Sequence, residues 1–207
     1  MRRHSYLAAA FVGLILVLVT ARTMAQTSQA KNTIEEVRTE LLQLPYYGVF
    51  DFIAFGYNKG TVTLQGYAYE GRLKTDAERA VKRASGVDQV VDQIEDLPSA
   101  QMDDELRWKT YYAIYGDPFL SNYAPGGGLL WGHRHAFGSG FLGQGPARFP
   151  DTEPAGNYPI HIIVKNLHIT LFGVVDTSAD GDLAGIKARG VPNNLGVDNE
   201  LIVEKAT

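Results

Sequence analysis

Gly60-Thr61-Val62-Thr63-Leu64-Gln65-Gly66 in the first half of the chain and Leu167-His168-Ile169-Thr170-Leu171-Phe172-Gly173 in the second are one pattern written twice. In the first, Val62 and Leu64 alternate with Thr61, Thr63 and Gln65, the period of a strand with one buried face. Working outward, Glu36-Val37-Arg38, Tyr46 and Phe50 precede the first copy, and Glu105-Leu106-Arg107, Tyr115 and Phe119 precede the second. A helical stretch follows each copy, closed by Gly86-Val87 in one half and Gly190-Val191 in the other. An internal repeat of this length sets the architecture before any local assignment. It means two small domains, and it biases function toward binding, because a duplicated module offers two surfaces.

Each copy has the same order of elements. A helix comes first, with Ile34, Val37, Leu41 and Leu44 on one face. A weakly marked strand follows, then the strand Thr61 to Ala68, a second helix from about Lys74 to Ala84 stopped by Gly86, and a last strand from Gln89 to Ile94. The class is α+β: two αββαβ units, each expected to be a three-stranded sheet with two helices on one face. Gly66 and Gly173 are expected to end matching strands, where a side chain would meet the following helix or a strained turn. This order, with strands closing on Leu-x-Gly and a Gly-Val after the second helix, resembles the BON domain, a family of bacterial envelope proteins often built as tandem pairs. Repeat 2 carries the resemblance best, in Ile169-Thr170-Leu171-Phe172-Gly173-Val174-Val175, Leu183-Ala184, Ala188-Arg189-Gly190-Val191-Pro192 and Val197-Asp198-Asn199-Glu200-Leu201. The units are read as 33–98 and 102–205, the second interrupted by an insertion over 124–159. The resemblance implies a non-enzymatic role at the envelope: association with phospholipid membranes, or docking onto an envelope complex, in support of envelope integrity under stress, osmotic stress included.

The N-terminus speaks to compartment. Arg2, Arg3 and His4 precede an apolar run from Leu7 to Ala21, and Thr23-Met24-Ala25 fits a small-x-small cleavage site before Gln26. This is the form of a secretory signal over residues 1–25, and it points to the periplasm or cell envelope. The other reading is an uncleaved membrane anchor, for which the run is shorter than the ~20 apolar residues that span a bilayer. The chain has no cysteine, so a lipid-modified cysteine, disulfides and thiol chemistry are out. It carries 19 basic and 23 acidic side chains; removing Arg2, Arg3 and Arg22 with the signal leaves 16 against 23, a net of −7. That balance argues against nucleic acid as a partner.

Two sets of residues are candidates for binding. The first is a basic stretch in the second helix of repeat 1, Arg72, Lys74, Arg79, Lys82 and Arg83, which reads either as a solvated face or as a contact for anionic lipid headgroups. The second is an aromatic stripe in the first helix of repeat 2. At about 100° per residue, Leu106, Thr110, Ala113 and Ile114 form the expected core face, and Trp108, Tyr111, Tyr112 and Tyr115 fall opposite. Repeat 1 has Thr39, Leu42, Gln43 and Tyr46 in those places. The stripe is either buried against repeat 1 or the insertion, or it is a docking surface whose rings suit a membrane interface or a protein partner. Burial is expected for Tyr111, exposure for Trp108 and Tyr112.

The insertion is rich in glycine yet apolar, with Leu129, Leu130, Trp131, Phe137, Phe141 and Leu142 among its glycines. It reads as disordered, as an apolar flap, or as a binding segment. No catalytic or metal constellation is legible, and no cofactor is expected. His133 and His135 lie in the insertion, and His161 and His168 match no metal spacing. Asp176 to Asp182 begins like a calcium loop, but the twelfth position is Lys187 and the ninth is Ala184, so it reads instead as the turn into a helix.

Overall fold

The computed structural model describes residues 28–125, 154, 156 and 158–204. The signal reading of 1–25 and most of the insertion, Trp131, His133 and His135 included, lie outside the described residues. No helix among the described residues is long and apolar enough to cross a membrane.

Repeat 1 runs α1 (28–42), β1 (Phe52–Asn58), β2 (Thr61–Ala68), α2 (Arg72–Val81) and β3 (Gln89–Asp96). Repeat 2 runs α3 (Gln101–Tyr115), a 3₁₀ turn at Ser121–Tyr123, β4 (Ile160–Lys165), β5 (His168–Val175), α4 (Ser178–Arg189) and β6 (Gly196–Val203). Each repeat has its own three-stranded sheet, ordered β1-β2-β3 and β4-β5-β6. In both, the first pair is antiparallel and the second parallel. The αββαβ reading therefore holds in both halves. The hairpins close by two-residue turns with positive φ at both central positions, Lys59 and Gly60 in repeat 1 and Asn166 and Leu167 in repeat 2. That handedness matches the twist of paired strands. Leucine is an unusual choice there, and the carboxylate of Asp103 on α3 holds it, accepting from the N–H groups of Asn166 (3.0 Å) and Leu167 (2.7 Å).

Gly66 and Gly173 lie inside their strands rather than at the ends, and what faces them is not a helix. Gly66 has φ +129° and Gly173 φ +126°. A Cβ on Gly66 would sit 2.0 Å from the carbonyl oxygen of Phe52, and one on Gly173 1.9 Å from that of Pro159. The neighbouring strand approaches too closely for any side chain, so the Leu-x-Gly signature is a backbone requirement of the antiparallel pair.

Two cores form. Val37, Leu41, Val62, Leu64, Leu73, Ala77 and Ile94 build the first from repeat 1 alone. The second draws on repeat 2, but Val49 and Phe50, which precede β1, belong to it. The segment between α1 and β1 thus reaches across. Ile162 N–H donates to the Val49 carbonyl at 2.8 Å, closing the outer edge of β4. Phe52 stacks on Phe172 with centroids 4.4 Å apart and planes 8° apart, and Lys165 pairs with Glu95 across the same junction. As a result β4 is buried on both faces from Ile160 to Val164. The equivalent positions on β1, Ala54 and Gly56, are exposed.

Candidate functional site

The aromatic stripe on α3 does not face solvent as a whole. Trp108 is 6% exposed, Tyr111 7% and Tyr115 0%, while Tyr112 is half-buried. The exposure expected of Trp108 is thus corrected, and the physical reason is repeat 1. Phe50 meets the Trp108 ring edge-on at 5.3 Å and Tyr111 at 6.3 Å, and Tyr158 closes on Tyr111 and Tyr115. Pairs of this geometry add about 0.5–1.5 kcal/mol each beyond burial. Burial raises the Tyr111 hydroxyl above its ordinary pKa, with the Tyr158 hydrogen bond adding to it. Burial also raises Tyr115 well above its ordinary value, against the lowering effect of its bond to the Ile160 carbonyl. These phenols are packing groups that stay protonated.

Arg107, one residue before Trp108, is fully buried. It pairs with Asp104, donates to the Val164 carbonyl at 2.6 Å, and lies 4.9 Å from the centroid of the Tyr69 ring of repeat 1. A buried guanidinium so held ties α3, β4 and repeat 1 together.

Of the basic residues along α2 and just past its end, four are engaged with acids, while Arg72 lies 4.8 Å from the centroid of the Tyr46 ring. Lys74 lies 3.9 Å from Asp92 and 3.7 Å from Asp96, Arg79 2.9 Å from Asp76, Lys82 2.5 Å from Glu78 and Arg83 2.8 Å from Glu40. That stretch is a face of interleaved charge rather than a block of uncompensated cations.

What the fold opens instead is a groove of about 580 Å³ between α3 and α4. Its walls are Tyr112 and Ala113 from α3, Ile186 from α4, and Val191 and Pro192 just beyond it, with Lys109 and Lys187 as the polar groups. Ile186 is 58% exposed, a large apolar side chain held in water. Lys187 is aimed by Asp117 at 2.6 Å, and Lys109 by Glu105 at 3.3 Å. Burial would raise the Asp117 carboxyl, but Lys187 and the Phe119 N–H outweigh it and hold it below its ordinary pKa. Sequence reasoning reached only Tyr112 of this set. The groove was invisible because its walls come from two helices far apart in sequence. A long amphipathic side chain such as Lys187 also looks like any surface lysine.

The acidic run at Asp176 to Asp182 is a helix start. Thr177 caps α4 by accepting from the Asp180 N–H at 3.2 Å. Tyr123 accepts from Asp176 N–H at 2.8 Å and donates to Asp180 at 3.0 Å. Burial first, and then these carboxylates against the Asp176 bond, push Tyr123 up to about 12. Among the described residues no group of three or more His, Asp or Glu is placed to hold a metal. His161 is buried between the repeats, and His168 pairs with Asp198 at 2.8 Å on the surface.

With this geometry in place, the chain's relationships can be stated. The BON-domain model matches residues 29–95 and 147–205, more than half of the chain and one match in each repeat. The chain belongs to the BON-domain family, in tandem form, and BON domains are binding modules associated with the bacterial envelope. The second match begins after α3, yet α3 packs on β4 and α4. No curated protein matches the chain. Two solved structures of CdsD, a structural protein of the type III secretion system of Chlamydia trachomatis, are similar at 13% and 14% identity. They cover 84% and 83% of this chain and 92% and 97% of their own, each with a TM-score of 0.26. At that score the likeness carries no argument about function.

Proposed function

We propose that this is an exported, non-enzymatic envelope module that associates with anionic phospholipid surfaces through the α3–α4 face of repeat 2. It would support envelope integrity, osmotic stress being one setting. In this reading residues 1–25 direct export to the periplasm, and 33–98 and 102–205 are the two BON units, with the 124–159 insertion in the second. The observation that carries the proposal is the α3–α4 groove: an apolar floor of about 580 Å³ with Ile186 exposed and two lysines beside it. An acyl chain or the interfacial layer of a bilayer suits the floor. Each lysine near an anionic surface adds roughly 1 kcal/mol of attraction. Of the aromatic stripe, Tyr112 would meet the membrane, while Trp108, Tyr111 and Tyr115 would form the rigid backing. Lys74, Arg79, Lys82 and Arg83, already paired with carboxylates, would add little.

Sedimentation with vesicles tests this. Mature protein should pellet with phosphatidylglycerol-containing vesicles at low salt, release as salt rises, and ignore pure phosphatidylcholine. Ile186→Asp with Lys187→Glu should abolish pelleting. Charge-indifferent binding, or binding unaffected by those changes, would overturn the reading; absence of any vesicle binding would leave docking onto an envelope protein complex as the role.

A further inference from the structure

The sheet of repeat 2 has two edges, and they differ. The β4 edge is closed by Val49, as described above. β6 ends the order β4-β5-β6 on the other side. Glu204 N–H donates to the Val175 carbonyl. Along this parallel pair the even-numbered residues of β6 therefore turn their main-chain groups to β5. Val197, Asn199, Leu201 and Val203 turn theirs to the open edge.

The matching edge in repeat 1, β3, is plugged. Asp92 Oδ1 accepts the Ile94 N–H at 2.8 Å, Lys74 reaches both Asp92 and Asp96, and Lys165 holds Glu95. In β6 the corresponding Asn199 Oδ1 stands 3.4 Å from the Leu201 N–H, a weak contact. Asp198, Glu200, Ile202 and Glu204 share the face turned away from the helices, since Val197 and Leu201 pack on the core. Asp198 has His168, but Glu200 and Glu204 have no ion pair among the described residues. Ile202 is 66% exposed, and its neighbour Val174 46%.

We infer that β6 is a docking edge that takes an extended, basic segment of a partner protein as a further strand. Main-chain bonds to an open edge supply affinity, and alternate side chains supply selection. Alternate residues of a strand lie ~6.5–7 Å apart on one face. Cations at alternate positions therefore face Asp198 and Glu200, and an apolar residue beyond them covers Ile202 and Val174. A second copy of this chain is disfavoured as the occupant, because pairing β6 with itself sets carboxylate against carboxylate. This inference is independent of the lipid reading, which concerns the α3–α4 groove.

The probe is a synthetic ten-residue peptide alternating lysine with valine and ending in isoleucine, compared with the same peptide carrying glutamate for lysine. Fluorescence anisotropy at low salt should show the lysine peptide binding at least tenfold more tightly, weakening as salt rises. Amide exchange should slow at Asn199, Leu201 and Val203 and stay unchanged along β3. Glu200→Lys with Glu204→Lys, both on exposed positions, should invert the preference with an unchanged circular dichroism spectrum. Equal binding of the two peptides would overturn the inference, as would protection on β3 or on α3 and α4, a variant that keeps the original preference, or no binding at about 1 mM peptide, where specific recognition is at its weakest. A protein that passes this test and fails to pellet with vesicles refutes the lipid reading alone; the opposite pattern refutes this one alone.

Discussion

Arg38 and Arg107 hold the same place in the two repeats, and one is exposed while the other is fully buried. The same split runs along both helices. Leu42 and Tyr46 of α1 and the turn after it are 52% and 55% exposed, where Tyr111 and Tyr115 are buried. Thr39 is in water, where Trp108 is not. So α1 is a one-sided amphipathic helix, and α3 is buried almost all round, at its charged Asp103 and Arg107 as well as at its aromatic rings. The repeats share a backbone plan and differ in what lies against them. Repeat 1 supplies Val49, Phe50 and Tyr69 to repeat 2, and its own α1 keeps a solvent face. A duplicated fold has become a supporting half and a supported half, and the groove and the open β6 edge both belong to the supported one.

The sharpest way to break this comparison is to truncate matching positions. Trp108→Ala should cost about 3–5 kcal/mol, the usual range for a large buried aromatic. Thr39→Ala, at the equivalent place on α1, should stay within about 0.5 kcal/mol, as a surface site does. Urea unfolding of both variants decides it. Similar small losses at both positions would mean that repeat 1 does not cover α3.

Where the repeats are alike, the matching effects should be alike. Gly173→Val and Gly66→Val each place a Cβ within 2.0 Å of a partner-strand carbonyl at positive φ. Both should lose about 3 kcal/mol, the upper part of the common range. Thermal unfolding that is unchanged in either variant would show that the close approach is not a requirement of that repeat.

The repeat, the element order and the family were legible because they rest on features that a strand or helix imposes on its own residues: alternation in Thr61 to Gln65, Gly at the close approach, Gly-Val after a helix. Thr61–Ala68 was readable to the residue for this reason. Side-chain exposure on α3 was not readable from the helical wheel. Repeat 1 shows which face of such a helix meets its own sheet, but it carries no trace of what Phe50 and Tyr69 do to its neighbour. The groove failed for a related reason, since Ala113 and Val191 become neighbours only when α3 and α4 pack. The mismatch between β3 and β6 is subtler. It turns on Asp92 against Asn199 and on whether a lysine reaches the strand, and only the folded pairing reveals that.

An effect no larger than these, and spread over a pH window, separates β4 from β1. His161 on β4 is buried between the repeats, and the residue in its place on β1 is the exposed Ala54. His161 Nδ1–H donates to the Gly48 carbonyl at 3.2 Å, and Nε2 lies 3.5 Å from the Tyr47 hydroxyl, with the rings of Phe52 and Tyr47 against it. Burial lowers its pKa from the ordinary 6.5 to about 4, more than the bonds to the main chain of Gly48 and Asp51 raise it. The unfolded chain therefore binds a proton that the folded chain refuses between these two values, and stability rises with pH through that window. The contribution is complete above pH 6.5, is lost as pH falls toward 4, and is gone below it, a change of about 3 kcal/mol. His161→Gln keeps an amide donor for Gly48 and has no titration here. Its stability profile between pH 7 and 4 should be flatter than that of the unaltered protein by this amount. Parallel profiles for the two proteins would place the His161 ring in water, and the junction between the repeats would then be looser than the packing of β4 requires.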